Sequence, residues 1–386
     1  MRILILSFYY KPDLCAGSFR CTALVNELLK LGTCQVEVVT TLPNRYHSFT
    51  KEAPKFEKGT NLSVHRISLP RHQSGMADQV RSFYTFFRNA RKITKNGQYD
   101  LVFATTSRLF TGFLGARIAR EKRLPLYLDV RDIFVDSIHD VMPKGFGRFI
   151  GPILKGFERY TFDSADRINL VSKGFAGYFS ERYKDKEYRW FSNGVDREFV
   201  GINPVSHKKV QEKSVIKILY AGNLGAGQGL EIIVPELAML LRDKAHFHII
   251  GDGGRSNLLR EKAAKLENVV VSSPVSRDEL ISHYVNADVL FLHLNAYEAF
   301  KKVLPSKIFE YAALGKPILA GVAGYPKEFI ESEVTNSAVF EPGNADSALK
   351  AFSRLEICHD SRDVFIRKFS RETLMAKMAN DMVSLI

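Results

Sequence analysis

Lys307 and Glu310 are three residues apart, a spacing that places both side chains on one face of a helix. A lysine at a helix start adds a cation where unpaired backbone N–H groups already attract anions. A glutamate one turn later can accept hydrogen bonds from vicinal hydroxyl groups such as those of a ribose. The pair indicates a site for a phosphorylated nucleoside. An ordinary amphipathic helix with two solvated charges is the alternative.

The residues around this pair mark the ends of a short helix. Pro305 and Ser306 stand at its predicted start. The first N–H groups of a helix have no partner within it, so proline is tolerated there, and a serine hydroxyl can cap the helix. Gly315 marks its end, since glycine readily adopts the left-handed conformation that stops a helix. The apolar residues 318–320 then predict a buried strand.

Two glycine-rich turns follow predicted strands in the same half of the chain. The first, residues 222–229, has four glycines in eight residues and precedes a predicted helix. Glycine lets a backbone approach a phosphate closely, so we predict that this glycine loop binds one; a turn that needs glycine only for its geometry is the alternative. The second is the tight turn Gly251-Asp252-Gly253. The candidate binding residues of the glycine loop are Gly222, Asn223, Leu224, Gly225 and Gln228.

In the first half, polar residues follow the first and the fifth predicted strands. Gly17 lies in the loop after the first strand, and Arg20 lies one turn into a helix predicted over 18–31 with Ser18 as its cap. Arg131 and Asp132 follow the fifth strand. Ligands of open α/β sheets bind beyond the carboxyl ends of the strands, so Asp132 is a candidate to orient a reacting hydroxyl or sugar. Weaker candidates nearby are Asp136, His139 and Asp140.

The elements that position these residues repeat one pattern, in which short apolar strands alternate with helices. This pattern predicts an α/β fold with two doubly wound parallel domains, over residues 1–196 and 197–370, joined at the polar stretch 197–214, and a last helix in 371–386. The strands predicted in the first half are 3–8, 36–40, 64–67, 101–104, 126–129 and 168–171. Those in the second half are 216–220, 247–250, 269–271, 289–292, 318–320 and 339–340.

The charge of the chain is concentrated in its first half. Residues 1–196 carry 31 Lys and Arg against 19 Asp and Glu, whereas residues 197–386 carry 24 against 23. The first half is therefore expected to face an anionic partner, either membrane lipid, a lipid pyrophosphate or nucleic acid. The four cysteines lack paired or metal-ligand spacing, no apolar run is long enough to span a bilayer, and the start lacks a signal-peptide cleavage site, so we expect a cytoplasmic protein.

Seven motifs, in this order over nearly the whole chain, resemble those of the family 4 glycosyltransferases, and in particular the subgroup that assembles bacterial surface polysaccharides. They are residues 7–12 with 16–20, 128–132, 192–196, 220–225, 228–231, 250–253 and 304–317. The resemblance implies the GT-B fold, in which two Rossmann-like domains face each other across a cleft and the last helix crosses back to the first domain. It also implies retaining transfer of a sugar from a nucleotide diphosphate, with UDP as the expected nucleotide.

The resemblance assigns the donor contacts to the second half. Asn223 and Gln228 stand where the family has an arginine and a lysine on the donor diphosphate, so Lys307 is expected to stabilise more of the leaving-group charge. Glu310 matches the ribose-binding glutamate. Lys302 replaces a glutamate that touches the donor sugar, and it either favours an unusual sugar or is solvated. The other implied donor contacts are Ser273, Pro305, Ser306, Gly251, Asp252 and Gly253.

The resemblance places the acceptor and the chemistry in the first half. Gly17 is the second residue of a pair that lies beside the donor phosphate and the acceptor, and Arg20 either faces the diphosphate across the cleft or is solvated. The catalytic histidine of many family members is missing, so Asp132, with Arg131 and Lys307, forms the predicted catalytic set. No covalent nucleophile, metal-ligand cluster or cofactor motif is visible, so we expect front-side displacement assisted by the departing phosphate.

Residues 76–95 combine aromatic and basic side chains at helical spacing. Such a helix can lie on an anionic bilayer, or its aromatic stripe can pack in the domain core. We therefore predict a nucleotide-sugar donor, a lipid-linked or glycan acceptor and an anionic membrane surface as partners. The alternatives are a sugar-nucleotide 2-epimerase, a non-catalytic partner protein of the same fold, and a nucleic-acid binder; the last lacks the aromatic and glycine patterns of RNA-binding modules.

Overall fold

The computed structural model divides the chain into two units, Met1–Asn193 with Arg371–Ile386 and Gly194–Ser370. The structure describes residues 1–44, 52–70, 76–106, 109–133, 146–202 and 215–386. Most of the predicted linker, residues 203–214, lies outside the described part. Among the described residues, no helix combines the length and the apolar character needed to cross a membrane.

The first unit is built on an eight-stranded sheet. Its strands are β1 (Arg2–Leu6), β2 (Gln35–Thr41), β3 (Phe56–Gly59), β4 (Leu62–Ile67), β5 (Leu101–Thr105), β6 (Leu126–Val130), β7 (Arg167–Leu170) and β8 (Glu187–Arg189). Their order is β3-β4-β2-β1-β5-β6-β7-β8, and only the β3–β4 pair is antiparallel. β5 and β6 bury every residue, as parallel strands covered on both faces do.

Helices cover this sheet. They are α1 (Ala16–Lys30), α2 (Met76–Thr94), α3 (Leu109–Lys122), α4 (Phe146–Asp163), α5 (Ala176–Arg182) and, from the end of the chain, α13 (Arg371–Val383). Met375, Met378 and Met382 of α13 are fully buried and complete the apolar core that α1 shares with the central strands. The C-terminal helix is therefore part of the packing of the first unit.

The second unit has a six-stranded sheet. Its strands are β9 (Ile216–Asn223), β10 (Ala245–Asp252), β11 (Val269–Ser272), β12 (Val289–His293), β13 (Ile318–Gly321) and β14 (Ser337–Phe340), in the order β11-β10-β9-β12-β13-β14. Its helices are α6 (Leu230–Leu240), α7 (Ser256–Ala263), α8 (Arg277–Asn286), α9 (Lys307–Ala313), α10 (Tyr325–Glu333), α11 (Ala345–Phe352) and α12 (Asp363–Lys368). All strand pairs are parallel, which confirms the predicted α/β architecture.

All twelve predicted strands are present, and the sequence missed β3 and β8. Both are short, and both lie at the edges of the first sheet. Edge strands carry polar residues and are half-solvated, so they lack the apolar pattern that identifies a buried strand.

Candidate functional site

The carboxyl end of β9 brings the glycine loop next to Lys307. Gly222 has φ = +147°, and a methyl group at this position would overlap the end of the Lys307 side chain. The Lys307 ammonium lies 5.2 Å from the centroid of the Tyr220 ring, a cation–π distance. Glycine is therefore required at 222 so that the cation can lie against the loop.

The side chains of Asn223 and Gln228 brace the glycine loop. Asn223 Nδ2 donates to Gln228 Oε1 at 2.7 Å, and the backbone N–H of Gly225 donates to the same oxygen at 3.2 Å. Leu224 continues the loop with its N–H bonded to the carbonyl of Asp252 at 2.9 Å. The two amide side chains thus hold each other, and a direct contact with a diphosphate stays a prediction.

The turn Gly251-Asp252-Gly253 packs directly against this loop. Asp252 Oδ1 accepts from the Gly253 N–H at 2.8 Å and from Ser256 Oγ at 3.3 Å. A methyl group on Gly253 would come within 2.6 Å of the Leu224 carbonyl. Asp252 therefore stabilises its own turn, and the two glycine-rich turns form one wall.

The helix with the predicted lysine and glutamate is α9. The predicted Ser306 cap is wrong, because Ser306 has helical backbone angles and its side chain makes no capping hydrogen bond. The chain enters α9 through a tighter turn, in which Ile308 N donates to the carbonyl of Pro305 at 3.2 Å and Phe309 N to that of Ser306 at 3.1 Å. Lys307 is consequently the first helical residue and Glu310 follows one turn later.

Glu310 lies in a polar network that the sequence did not reveal. Its side chain is nearly buried, with Arg277 Nη1 at 3.6 Å from Oε1 and the Tyr284 hydroxyl donating to Oε2 at 3.4 Å. Arg277 also pairs with Asp196 Oδ2 at 2.9 Å and with Glu198. Burial alone would lower the pKa of Arg277, but these carboxylates raise it. Arg277 therefore stays a cation beside Glu310.

Ser273 and Lys302 are two further predicted donor contacts in the second unit. Ser273 is exposed and directly follows β11. Lys302 is half-buried in the turn that precedes α9, and its N–H donates to the carbonyl of Ala299 at 3.3 Å. Their contacts with a base or a sugar stay predictions.

The structure corrects the role of Arg20 in the first unit. Arg20 is 2% exposed, and its guanidinium pairs with both carboxylate oxygens of buried Asp129, at 2.8 and 2.9 Å. It also donates to the carbonyls of Phe191, at 2.8 Å, and Ser192. These bonds occupy the guanidinium inside the unit, so Arg20 is neither a solvated residue nor a free cation for a diphosphate.

The start of α1 also differs from the prediction. α1 begins at Ala16, so Gly17 lies in its first turn and Ser18 is an interior, buried residue whose hydroxyl has no hydrogen-bond partner among the described residues. A methyl group on Gly17 would make only ordinary contacts, at 3.9 Å from Cys15 and Tyr9. The predicted Ser18 cap is therefore wrong, and Gly17 is not required by crowding.

Arg131 and Asp132 follow β6 at the carboxyl edge of the first sheet. The Arg131 guanidinium lies 3.5 Å from the Ala16 carbonyl and 3.5 Å from Asn193 Oδ1, so it is close to the start of α1. Asp132 remains open to solvent, but the protein around its carboxyl group removes enough water to raise its pKa to about 6, while the charge of Arg131 opposes this rise. The weaker candidates Asp136, His139 and Asp140 lie outside the described residues.

Two family models match consecutive parts of this sequence. The model "Glycosyl transferase 4-like domain" matches residues 18–194, and "Glycosyl transferases group 1" matches residues 203–371. The chain is 23% identical over 412 residues to WcaI of Escherichia coli (strain K12), whose name assigns it a glycosyl transferase role in colanic acid biosynthesis. That alignment covers 97% of this chain and 96% of the relative.

Solved structures share the fold at low sequence identity. Sucrose-phosphate synthase from Thermosynechococcus elongatus has a TM-score of 0.75 at 13% identity, covering 100% of this chain and 98% of its own. Anabaena Alr3699/HepE in complex with UDP has a TM-score of 0.66 at 15% sequence identity, and the match covers 100% of both chains. UDP-GlcNAc 2-epimerase from Neisseria meningitidis, bound to UDP-GlcNAc, has a TM-score of 0.61 at 11% sequence identity, and the match also covers 100% of both chains. A synthase, a protein solved with UDP and an epimerase thus share this fold.

Proposed function

Because this chain belongs to the family 4 glycosyltransferases of the GT-B fold, we propose that it moves one sugar from a nucleoside diphosphate donor to a lipid-linked or glycan acceptor. We infer that the nucleotide is UDP, that the anomeric configuration is retained, and that the product is a bacterial surface polysaccharide. The relative named for colanic acid biosynthesis and the similar structure solved with UDP support this assignment.

One observation carries the donor assignment: a cation and a nearly buried carboxylate lie one helical turn apart beside a glycine loop. Lys307 lies against Gly222, and Glu310 is held by Arg277 and Tyr284. In this proposal Lys307 binds the diphosphate and Glu310 accepts hydrogen bonds from the ribose hydroxyls. Arg277 and Tyr284 hold the Glu310 carboxylate in place, and its oxygens are hydrogen-bond acceptors.

The proposed reaction breaks the bond between the anomeric carbon and the phosphate oxygen. The acceptor oxygen forms its bond on the same face, and its proton passes to the departing phosphate. Lys307 stabilises the negative charge that develops on the diphosphate. Asp132, which is ionised at neutral pH because its pKa is about 6, orients the acceptor hydroxyl, with Arg131 beside it. These residues act without a metal ion in this scheme.

A donor panel tests this function. Purified protein is titrated with UDP, GDP and ADP, and UDP-sugars are then incubated with and without a glycan acceptor. We expect UDP binding, a product of retained configuration by NMR, and no epimer of the donor sugar in the absence of acceptor. Lys307→Ala should weaken UDP binding by about ten- to a hundredfold, while Lys301→Ala, a nearby lysine paired with Glu298, serves as the matched control.

The membrane prediction concerns the two faces of α2. The inward face packs in the core, since Phe83 lies 4.7 Å from the Phe110 ring and Phe87 lies 6.1 Å from the Phe113 ring. The outward face exposes an outer stripe. This stripe consists of Val80, Tyr84, Arg88, Lys92 and Lys95. The phenylalanines thus pack in the domain core, as the alternative for this helix had it. The exposed basic and apolar residues support binding to an anionic bilayer.

We propose that this outer stripe holds the first unit on anionic lipid. It borders a groove of about 810 Å³ between α2 and α3, which Arg88, Lys92 and Lys122 line. Each cation near a charged bilayer contributes about 1 kcal/mol, so Arg88→Glu with Lys92→Glu should weaken vesicle binding at least tenfold. The same reversal at Arg242 and Lys244, exposed residues of the second unit, is the control. Equal binding of both variants to phosphatidylglycerol vesicles at low salt would contradict the proposal.

A further inference from the structure

Three consecutive carbonyl groups of the glycine loop accept hydrogen bonds from the end of β12. Asn295 donates twice, from Nδ2 to the Ala226 carbonyl at 2.6 Å and from its backbone N–H to the Gly227 carbonyl at 2.9 Å. His293 Nδ1 lies 2.6 Å from the Gln228 carbonyl. All three carbonyls therefore point toward β12, and we call His293 and Asn295 the β12 clamp.

The surroundings of His293 fix its protonation state. The backbone N–H of Gly343 donates to His293 Nε2 at 2.9 Å, so Nε2 carries no proton, and Nδ1 must carry one to donate to the Gln228 carbonyl. The ring is fully buried and is stacked with those of Phe291 and Phe340, with interplanar angles of 11° and 27°. His293 is therefore a neutral imidazole with one defined tautomer.

The clamp also determines where the loop amides point. A trans peptide bond directs its N–H opposite to its C=O, so the amides of Gly227, Gln228 and Gly229 point away from β12. The Gln228 amide bonds to the Gly225 carbonyl at 3.1 Å. The amides of Gly227 and Gly229 have no acceptor within the described part of the chain, although Gly229 is a buried residue. A buried N–H without a protein acceptor is costly unless water or a ligand supplies one.

Glycine is required at 229 by the same contact. Gly229 has φ = +56°, and a methyl group at this position would overlap the Asn295 side chain. The tip of the loop is thus held by both its backbone conformation and the clamp, immediately before the start of α6.

We propose that His293 and Asn295 are positioning residues, which hold the glycine loop so that the amides of Gly227 and Gly229 donate to the phosphate oxygens of a nucleoside diphosphate. The nature of this ligand rests on the proposed function. The geometry of the clamp does not, because every bond in it lies between residues of the second unit. Neither residue touches the donor, so losing the clamp should affect diphosphate recognition rather than nucleoside recognition.

The test compares His293→Phe and Asn295→Ala with a matched control. Phenylalanine keeps the bulk of the buried ring and removes both of its hydrogen bonds, whereas Asn295 is half-buried and its truncation preserves the backbone bond. The control is His248→Phe, which removes the histidine that bonds Ser272 Oγ at 2.9 Å in the same sheet. UDP and uridine binding are measured by calorimetry, and amide hydrogen exchange of residues 224–232 is measured without ligand.

We expect both clamp variants to weaken UDP binding by at least about tenfold and to change uridine binding by less than about twofold. Exchange in residues 224–232 should accelerate in both clamp variants and not in His248→Phe. If His293→Phe does not fold, as judged by circular dichroism, Asn295→Ala carries the same comparison.

The outcomes separate the two proposals. Wild-type protein that binds none of UDP, GDP and ADP would refute the proposed function, while the exchange measurement still judges the clamp. Unchanged exchange, together with wild-type UDP affinity in both variants, would refute the clamp and leave the proposed function standing. Equal losses for UDP and uridine would reduce the clamp to a general structural role.

Discussion

The neutral state of His293 predicts a specific dependence of stability on pH. Burial lowers the pKa of His293 from 6.5 to about 4, although its bond to the Gln228 carbonyl opposes this shift. The unfolded chain therefore binds a proton more readily than the folded one between these values. The contribution of His293 to stability is fully present above pH 6.5 and is lost as the pH falls toward 4. Between pH 7.5 and pH 5 the loss is about 2 kcal/mol.

His293→Phe removes this titration, so the difference in unfolding free energy between wild type and variant should shrink by about 2 kcal/mol between pH 7.5 and pH 5. Urea unfolding is followed by hydrogen-exchange mass spectrometry on peptides of β10 and β12, because these peptides report on the second unit alone. Asn295→Ala removes a loop hydrogen bond and no titrating group, so its difference from wild type should not change with pH. A His293→Phe difference that is equal at the two pH values would show that the reasoning about the buried imidazole is wrong.

Three further predictions concern charged residues. Arg20→Met should destabilise the first unit by about 3–5 kcal/mol, because it leaves the Asp129 carboxylate buried without its cation, and urea unfolding would measure this loss. Arg277→Met should raise the KM for the donor by about tenfold, since the Glu310 side chain loses the cation that lies 3.6 Å from its Oε1; an unchanged KM would contradict the proposed binding of the ribose by Glu310. If Asp132 acts as an ionised group, kcat should fall below about pH 6, and Asp132→Asn should abolish this acidic limb of the profile.

Local signals in the sequence identified the two glycine-rich turns and the helix α9 of the second unit. The boundaries of these elements are marked by residue types that act locally: a proline before a helix, a glycine after it, and four glycines between a strand and a helix. The apolar periodicity of the strands likewise needs no knowledge of distant neighbours. These signals located α9 and the glycine loop in the sequence.

The missing information was the identity of partners that are distant in sequence. Arg20 and Asp129 are 109 residues apart and meet only because β1 and β6 belong to one sheet. The sequence therefore suggested that Arg20 binds a ligand, whereas in the fold its guanidinium pairs with a buried carboxylate. The bond between Tyr284 and Glu310 likewise joins neighbouring elements of a packed unit. His293 follows four apolar strand residues and is indistinguishable from an ordinary core histidine until its two hydrogen-bond partners are known.

The return of α13 to the first unit has a consequence for how the protein is made. Three methionines of this helix fill the core beneath the first sheet, and Asp381 binds Arg167, Arg189 and the Tyr127 hydroxyl. During translation the ribosome must therefore finish the entire second unit before the first can close its core. A nascent chain that stops near residue 193 would expose this apolar surface, so we expect such fragments to require chaperones or to aggregate.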